Sequence, residues 1–181
     1  MGMEIRVLGM NINDKLSPHF TLKEFLASQT AKRKGIPNIP DEKQVRNMKA
    51  LCTHLLEKIR TGLREKQNSD ALVMLSSGFR SAKLNKKIGG SSKKSQHMKG
   101  QAADFHVWGV SLFDAFKYIV CDSNLEFDQC IWEFGGWIHI SYNNYGVANR
   151  NQILSVKKVK KGLIKKSVWR SIASYEVRNM E

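Results

Sequence analysis

The longest regular pattern in the chain lies within residues 42–66, where Val45, Met48, Leu51, Leu55, Ile59 and Leu63 recur at intervals of three and four. That period lays one apolar stripe along a helix and turns the lysines, arginines and glutamates outward. Asp41 follows the Ile36-Pro37-Asn38-Ile39-Pro40 loop and stands at the N-cap of this helix. A shorter helix is predicted after Thr21, because Glu24 at the third following position completes a capping box. Residues 81–88 read as another short helix, and Ser111 caps one that runs through Val120. Between these lie short apolar or alternating runs. Leu72-Val73-Met74-Leu75 reads as a buried strand that ends at Ser76-Ser77-Gly78. Residues 102–107 form a strand, 129–134 and 137–142 pair as a hairpin around Gly135-Gly136, and 152–159 form a last strand. Residues 1–17 show little pattern and are expected to form a loose arm or an edge strand. The whole predicts an α+β fold, a small antiparallel sheet flanked by helices.

Composition narrows the class. A chain of 181 residues with 41% hydrophobic and 25% charged residues has the length and balance of one globular domain. No apolar run is long enough to span a bilayer. Met1-Gly2-Met3-Glu4-Ile5-Arg6 has neither the basic head nor the apolar stretch of a secretory signal, so synthesis in the cytoplasm is expected. Cys52, Cys121 and Cys130 are odd in number, widely spaced and set among apolar residues, which predicts reduced structural thiols.

One constellation carries chemistry. His97 and Asp104 are seven residues apart, with Gly100, Ala102 and Ala103 between them, and His139 lies in the alternating run Trp137-Ile138-His139-Ile140. A loop running into a strand can bring His97 and Asp104 onto one ion, and His139 projects from a single face of its strand. Two imidazoles and a carboxylate are a ligand set that a catalytic zinc accepts while keeping a position open.

Ser95, His97, Gly100, Ala102 and Asp104 form the pattern S-x-H-x-x-G-x-A-x-D, followed later by W-x-H at Trp137 and His139. Upstream stand Ser77-Gly78-Phe79-Arg80-Ser81, Leu84-Asn85 and Gly89-Gly90-Ser91; downstream stand Phe127-Asp128-Gln129 and Ile131-Trp132-Glu133. His19-Phe20-Thr21-Leu22-Lys23-Glu24-Phe25 belongs with them. Over roughly residues 18–143 the chain resembles the M15 zinc peptidases, which include D-alanyl-D-alanine carboxypeptidases and the L-alanyl-D-glutamate endopeptidases of phage lysins. The resemblance implies the M15 or hedgehog-like peptidase fold, with one zinc ion held by His97, Asp104 and His139. It divides the chain into an arm (1–17), a peptidase domain (18–150) and a basic extension (151–181). It further implies a single-domain, monomeric enzyme acting on peptidoglycan, released by a holin-type event or carried in a virion.

Hydrolysis also needs a carboxylate that accepts a proton from water and passes it to the leaving amine. Glu133 is the residue the resemblance points to, on the hairpin strand opposite His139. Some members place this base three residues before the last histidine, where this chain has Gly136; Glu126 and Asp128 are the competing carboxylates. Arg80 corresponds to an arginine that binds substrate and stabilises developing charge, a task suited to a planar guanidinium. Ser95 and Gln129 are candidates for substrate contacts, and His106 shares a strand face with Asp104.

Net charge is +14, and it is concentrated late in the chain. From Arg150 onward nine basic residues face only Glu176 and Glu181. Such a segment suits anionic wall polymers, lipopolysaccharide or lipid, or it serves solubility alone. Trp169 and Tyr175 are thin support for stacking on nucleic acid. A zinc-stabilised wall-binding module without catalysis is the alternative to an enzyme.

Overall fold

The computed structural model describes residues 6–7, 9–67, 70–89, 91–144, 146–161 and 164–179. Two short hairpins open the chain, β1 (Arg6–Val7) with β2 (Met10–Asn11) and β3 (Lys15–Ser17) with β4 (Phe20–Thr21). Helices α1 (Leu22–Leu26) and α2 (Gln29–Lys34) follow, then α3 (Glu42–Leu51) and α4 (Glu57–Gln67), joined by a π-helical turn at Cys52–Leu56. Next come β5 (Leu72–Ser77), α5 (Ala82–Asn85), a 3₁₀ turn (Gln96–Lys99) and β6 (Ala102–Trp108). The chain continues through α6 (Leu112–Lys117), a second π-helical turn (Tyr118–Asp122), β7 (Gln129–Glu133) and β8 (Trp137–Ser141). It closes with β9 (Gln152–Lys161), β10 (Ile164–Ser171) and α7 (Ser174–Arg178).

The helix starts follow local chemistry. Thr21 and Glu24 form the capping box that their spacing predicts. Asp41 accepts from the Gln44 backbone N–H at 2.8 Å, while the Gln44 side chain accepts from the Asp41 N–H at 2.7 Å. Ser81 and Ser111 cap α5 and α6 by a single bond each, accepting from the Leu84 and Asp114 backbone N–H. The apolar stripe along α3 and α4 is wholly enclosed at Met48, Leu51, Leu55, Ile59 and Leu63. It packs with α1 and α6 against Ala103, Phe105, Ile138 and Ile140 of the sheet. Enclosing each large aliphatic side chain contributes roughly 1.5–3 kcal/mol, so this layer dominates the stability of the fold.

The main sheet has six strands in the order β10-β9-β7-β8-β6-β5. Its pairings are antiparallel except β7 with β9, which run parallel. The fold is α+β as predicted, with a larger and mixed sheet. The chain after Arg150 supplies two of its strands and a short helix, of which only the first strand is visible as a pattern. Val156, Ile172 and Val177 are buried there. Residues 1–5 lie outside the described part of the predicted arm; within the rest, Leu16 is buried in the main core. The strand predicted as buried at Leu72-Val73-Met74-Leu75 is corrected to an edge strand. Val73 is enclosed, whereas Leu72 and Met74 are 44% and 47% exposed, because only one face of β5 meets the helices.

Residues directly opposite across paired strands share a face. Asp104 pairs with His139, and His139 with Ile131, so these three stand in one row on the face turned away from α3 and α4. Glu133 lies two residues along β7 from Ile131, on that same face. Gly100 closes the 3₁₀ turn with φ of 68°, and a Cβ there would lie 2.5 Å from the Gln44 carbonyl oxygen. Gly35 closes α2 with φ of 58° but has open space around it. Gly100→Ala is therefore expected to cost about 2 kcal/mol or more in urea denaturation, and Gly35→Ala only about 1 kcal/mol.

Candidate metal centre and active site

The 3₁₀ turn that carries His97 is pinned from both sides. From α3, Gln44 donates to the Met98 carbonyl at 2.9 Å and Asn47 donates to the Lys99 carbonyl at 2.8 Å. From the other side, Gln96 donates to Asp128 at 2.9 Å and to Asn143 at 3.2 Å. Within the turn, His97 Nδ1 lies 2.7 Å from the Gly78 carbonyl oxygen. A carbonyl oxygen can only accept, so Nδ1 carries the proton and Nε2 keeps its lone pair.

That lone pair points into a triangle of ligand atoms. His97 Nε2 lies 3.2 Å from Asp104 Oδ1 and 3.3 Å from His139 Nδ1, and His139 Nδ1 lies 2.8 Å from Asp104 Oδ1. All three residues are buried. Burial holds the His97 imidazole below its ordinary pKa despite the neighbouring Asp104, so it stays neutral. Burial pushes the Asp104 carboxyl up, but His97 and His139 more than offset it and hold the group well below the usual carboxylate range. A neutral imidazole lone pair therefore faces an anionic oxygen and a second ring nitrogen, an arrangement that a cation resolves. Metal bonds of roughly 2 Å in a tetrahedral site separate ligand atoms by a little over 3 Å, which fits the two edges from His97, while the His139–Asp104 edge is shorter. His97, Asp104 and His139 can hold one metal ion between them.

Arg80 secures the carboxylate from behind. Its Nη2 donates to Asp104 Oδ2 at 2.6 Å, and its Nε donates to Ser77 Oγ at 3.0 Å. One oxygen of Asp104 thus faces the arginine and the other faces the imidazoles. Arg80 thereby orients a member of the candidate metal triangle, a connection not evident from its place in the sequence. Oriented partners of this kind commonly change metal affinity ten- to 100-fold.

Glu133 sits about 7 Å along the strand from the His139 row and one strand over, by ordinary strand spacing. Burial and the nearby Asp104 raise its pKa, against the pull of His139 and Arg80. The Trp137 indole N–H has no hydrogen-bond partner among the described residues. Of the competing carboxylates, Asp128 is fully buried and held bidentately by Arg150 at 2.5 and 2.7 Å. It braces the Gln96 turn. Glu126 is exposed and precedes β7.

The remaining predicted residues make other contacts. Ser95 begins the 3₁₀ turn without capping it. Gln129 donates to Gln152 at 2.7 Å and thereby joins β7 to β9. His106 is exposed opposite Met74, His19 bonds Glu57 at 2.7 Å, and His54 stacks on Tyr142. All three cysteines are free, and burial pushes the Cys52 and Cys130 thiols far up, so neither is a nucleophile at neutral pH.

A family model described as peptidase M15 matches residues 18–141. The chain belongs to the peptidase M15 family. It is a peptidase by that membership, and the match spans β4 to β8 with the whole ligand triangle inside it. No curated protein matches the chain. As an M15 peptidase it is expected to retain about one divalent ion per chain after gel filtration, read by elemental analysis. Asp104→Asn should abolish retention, and Arg80→Lys should lower affinity about ten- to 100-fold while leaving the far-ultraviolet circular dichroism unchanged.

Proposed function

We propose that this M15 peptidase is a zinc enzyme that hydrolyses an amide bond in the stem peptide or cross-link of peptidoglycan. The observation that carries the reading is the buried His97–Asp104–His139 triangle with Glu133 on the same sheet face. A zinc ion held there would act as a Lewis acid, polarising the scissile carbonyl and making water acidic enough to ionise near neutral pH. Glu133 takes the proton from the attacking water. As the carbon–nitrogen bond breaks, Glu133 returns that proton to the leaving amine. Its raised pKa suits both halves of the task, since a stronger base accepts more readily and its acid form still donates. Arg80 keeps the Asp104 carboxylate aimed throughout. The basic late strands and the family's range of activities favour a phage-type lytic enzyme that reaches the wall after release from the cytoplasm.

Purified peptidoglycan incubated with wild type, Glu133→Gln and chelator-treated protein tests this, with products read by mass spectrometry. Wild type should release D-alanine if it is a carboxypeptidase, or leave L-alanine on the glycan if it is an endopeptidase. Glu133→Gln should keep its zinc and lose at least about 10²-fold in turnover. A wild-type protein that binds zinc yet yields no product from several wall types would overturn the enzymatic reading.

The pH profile follows from the same residue. Glu133 works ionised, so kcat/KM falls as pH drops through its raised pKa. The acid limb is expected above the ordinary glutamate value of 4.5, because burial favours the neutral form. An acid limb at or below that value would remove Glu133 as the base.

A further inference from the structure

We propose that the β9–β10 hairpin is a platform that holds the polymer beside the scissile bond, with Trp169 stacked on a sugar ring of the glycan strand and Lys158 paired with a carboxylate of the attached peptide. The proposal rests on the reading of the protein as a peptidoglycan peptidase and names the part of the substrate engaged away from the reacting bond. The hairpin lies wholly beyond the residues matched to the family.

The strand register carries the inference. Trp169 pairs with Val156, Val156 with Glu133, and Glu133 with Trp137. These four residues form one row across β10, β9, β7 and β8, on the face that holds the metal ligands. With neighbouring strands about 4.8 Å apart, the Trp169 backbone lies only about 10 Å from that of Glu133. Val156 is fully buried, yet Trp169 is 56% exposed at the end of the row. At the hairpin turn just past Glu133, Phe134 packs on Trp137 with ring centroids 5.6 Å apart, and Lys158 Nζ lies 5.0 Å from the Phe134 centroid. Glu133 therefore shares its row with an exposed indole two strands away and has an aromatic pair edged by a cation at its own hairpin turn.

Charge identifies the occupant. Arg150, Arg170 and Arg178 are engaged with Asp128, Glu176 and Asp122. Lys157 and Lys158 are exposed and make no ion pair among the described residues. An exposed indole offers a flat apolar face to the C–H face of a sugar, and an unpaired ammonium beside it seeks an anion. A glycan strand bearing carboxylate-containing peptides presents both kinds of group. The other flank of the same face also exposes a tryptophan, Trp108, across from Leu72, but no cation is described next to it.

Trp169→Thr and Lys158→Glu test the platform, since threonine keeps strand propensity and the lysine change leaves the ladder intact. Each is placed in the Glu133→Gln chain for co-sedimentation with insoluble peptidoglycan stripped of teichoic acid. Each is also placed in the active chain to measure the ratio of polymer hydrolysis to hydrolysis of a soluble stem peptide. Both variants should lower retention and that ratio about tenfold, the Lys158 effect shrinking as salt rises. Unchanged retention, or polymer and soluble peptide falling alike, overturns the proposal. So does a Trp169-dependent preference for a single-stranded oligonucleotide over peptidoglycan. A wild type that cuts neither substrate, while Glu133→Gln stays bound through Trp169, overturns the peptidase reading and supports the platform.

Discussion

Everything around the candidate active site depends on a single carboxylate held away from water. Asp104 stays ionised where burial alone would neutralise it, because a guanidinium grips one oxygen and two imidazoles face the other. Removing one partner from a buried charge pair typically costs about 3–5 kcal/mol, so the cluster is all or nothing. Its precision comes from the sheet. The antiparallel register of β6 with β8 sets Asp104 against His139, and a one-residue slip of β8 would send His139 to the helical side. The large apolar core on that side prevents the slip, since Ile138 and Ile140 would have to leave it. Hydrophobic burial on one face thus fixes chemistry on the other.

Much of this was legible in the chain. The helical stripe from Val45 to Leu63, the caps at Thr21, Asp41, Ser81 and Ser111, and the hairpin about Gly135-Gly136 follow from period and capping rules. The ligand trio was readable because its residue types and their motif spacing are rare in combination. Its supports were not. That Arg80 grips Asp104, that a main-chain carbonyl at Gly78 sets the His97 tautomer, and that Asp128 ties Gln96 to Arg150 are contacts between segments remote in sequence. Local patterns carry no record of such meetings.

The chain after Arg150 misled for a different reason. Alternation in β10 is weak, since Trp169 and Val168 both face solvent and the lysines around them read as a solvated run. Here the sheet extends past its own helical layer, so neither face of the outer strand is required to be uniformly apolar. Hydrophobic patterning reports burial, and where a strand is held mainly by its backbone ladder the pattern fades.

The parallel pairing of β7 with β9 has a consequence for how the molecule is made. β5, β6, β7 and β8 all precede residue 142, so the strands bearing Asp104, Glu133 and His139 leave the ribosome as a set. Until residues 152–161 follow, β7 is the outermost strand, with one row of backbone donors and acceptors unanswered and Glu133 at its rim. The nascent protein passes through a stage in which the strand bearing Glu133 is also a sticky edge. The hairpin added last shields that strand, and a pause in translation between the two would lengthen the window for misassembly.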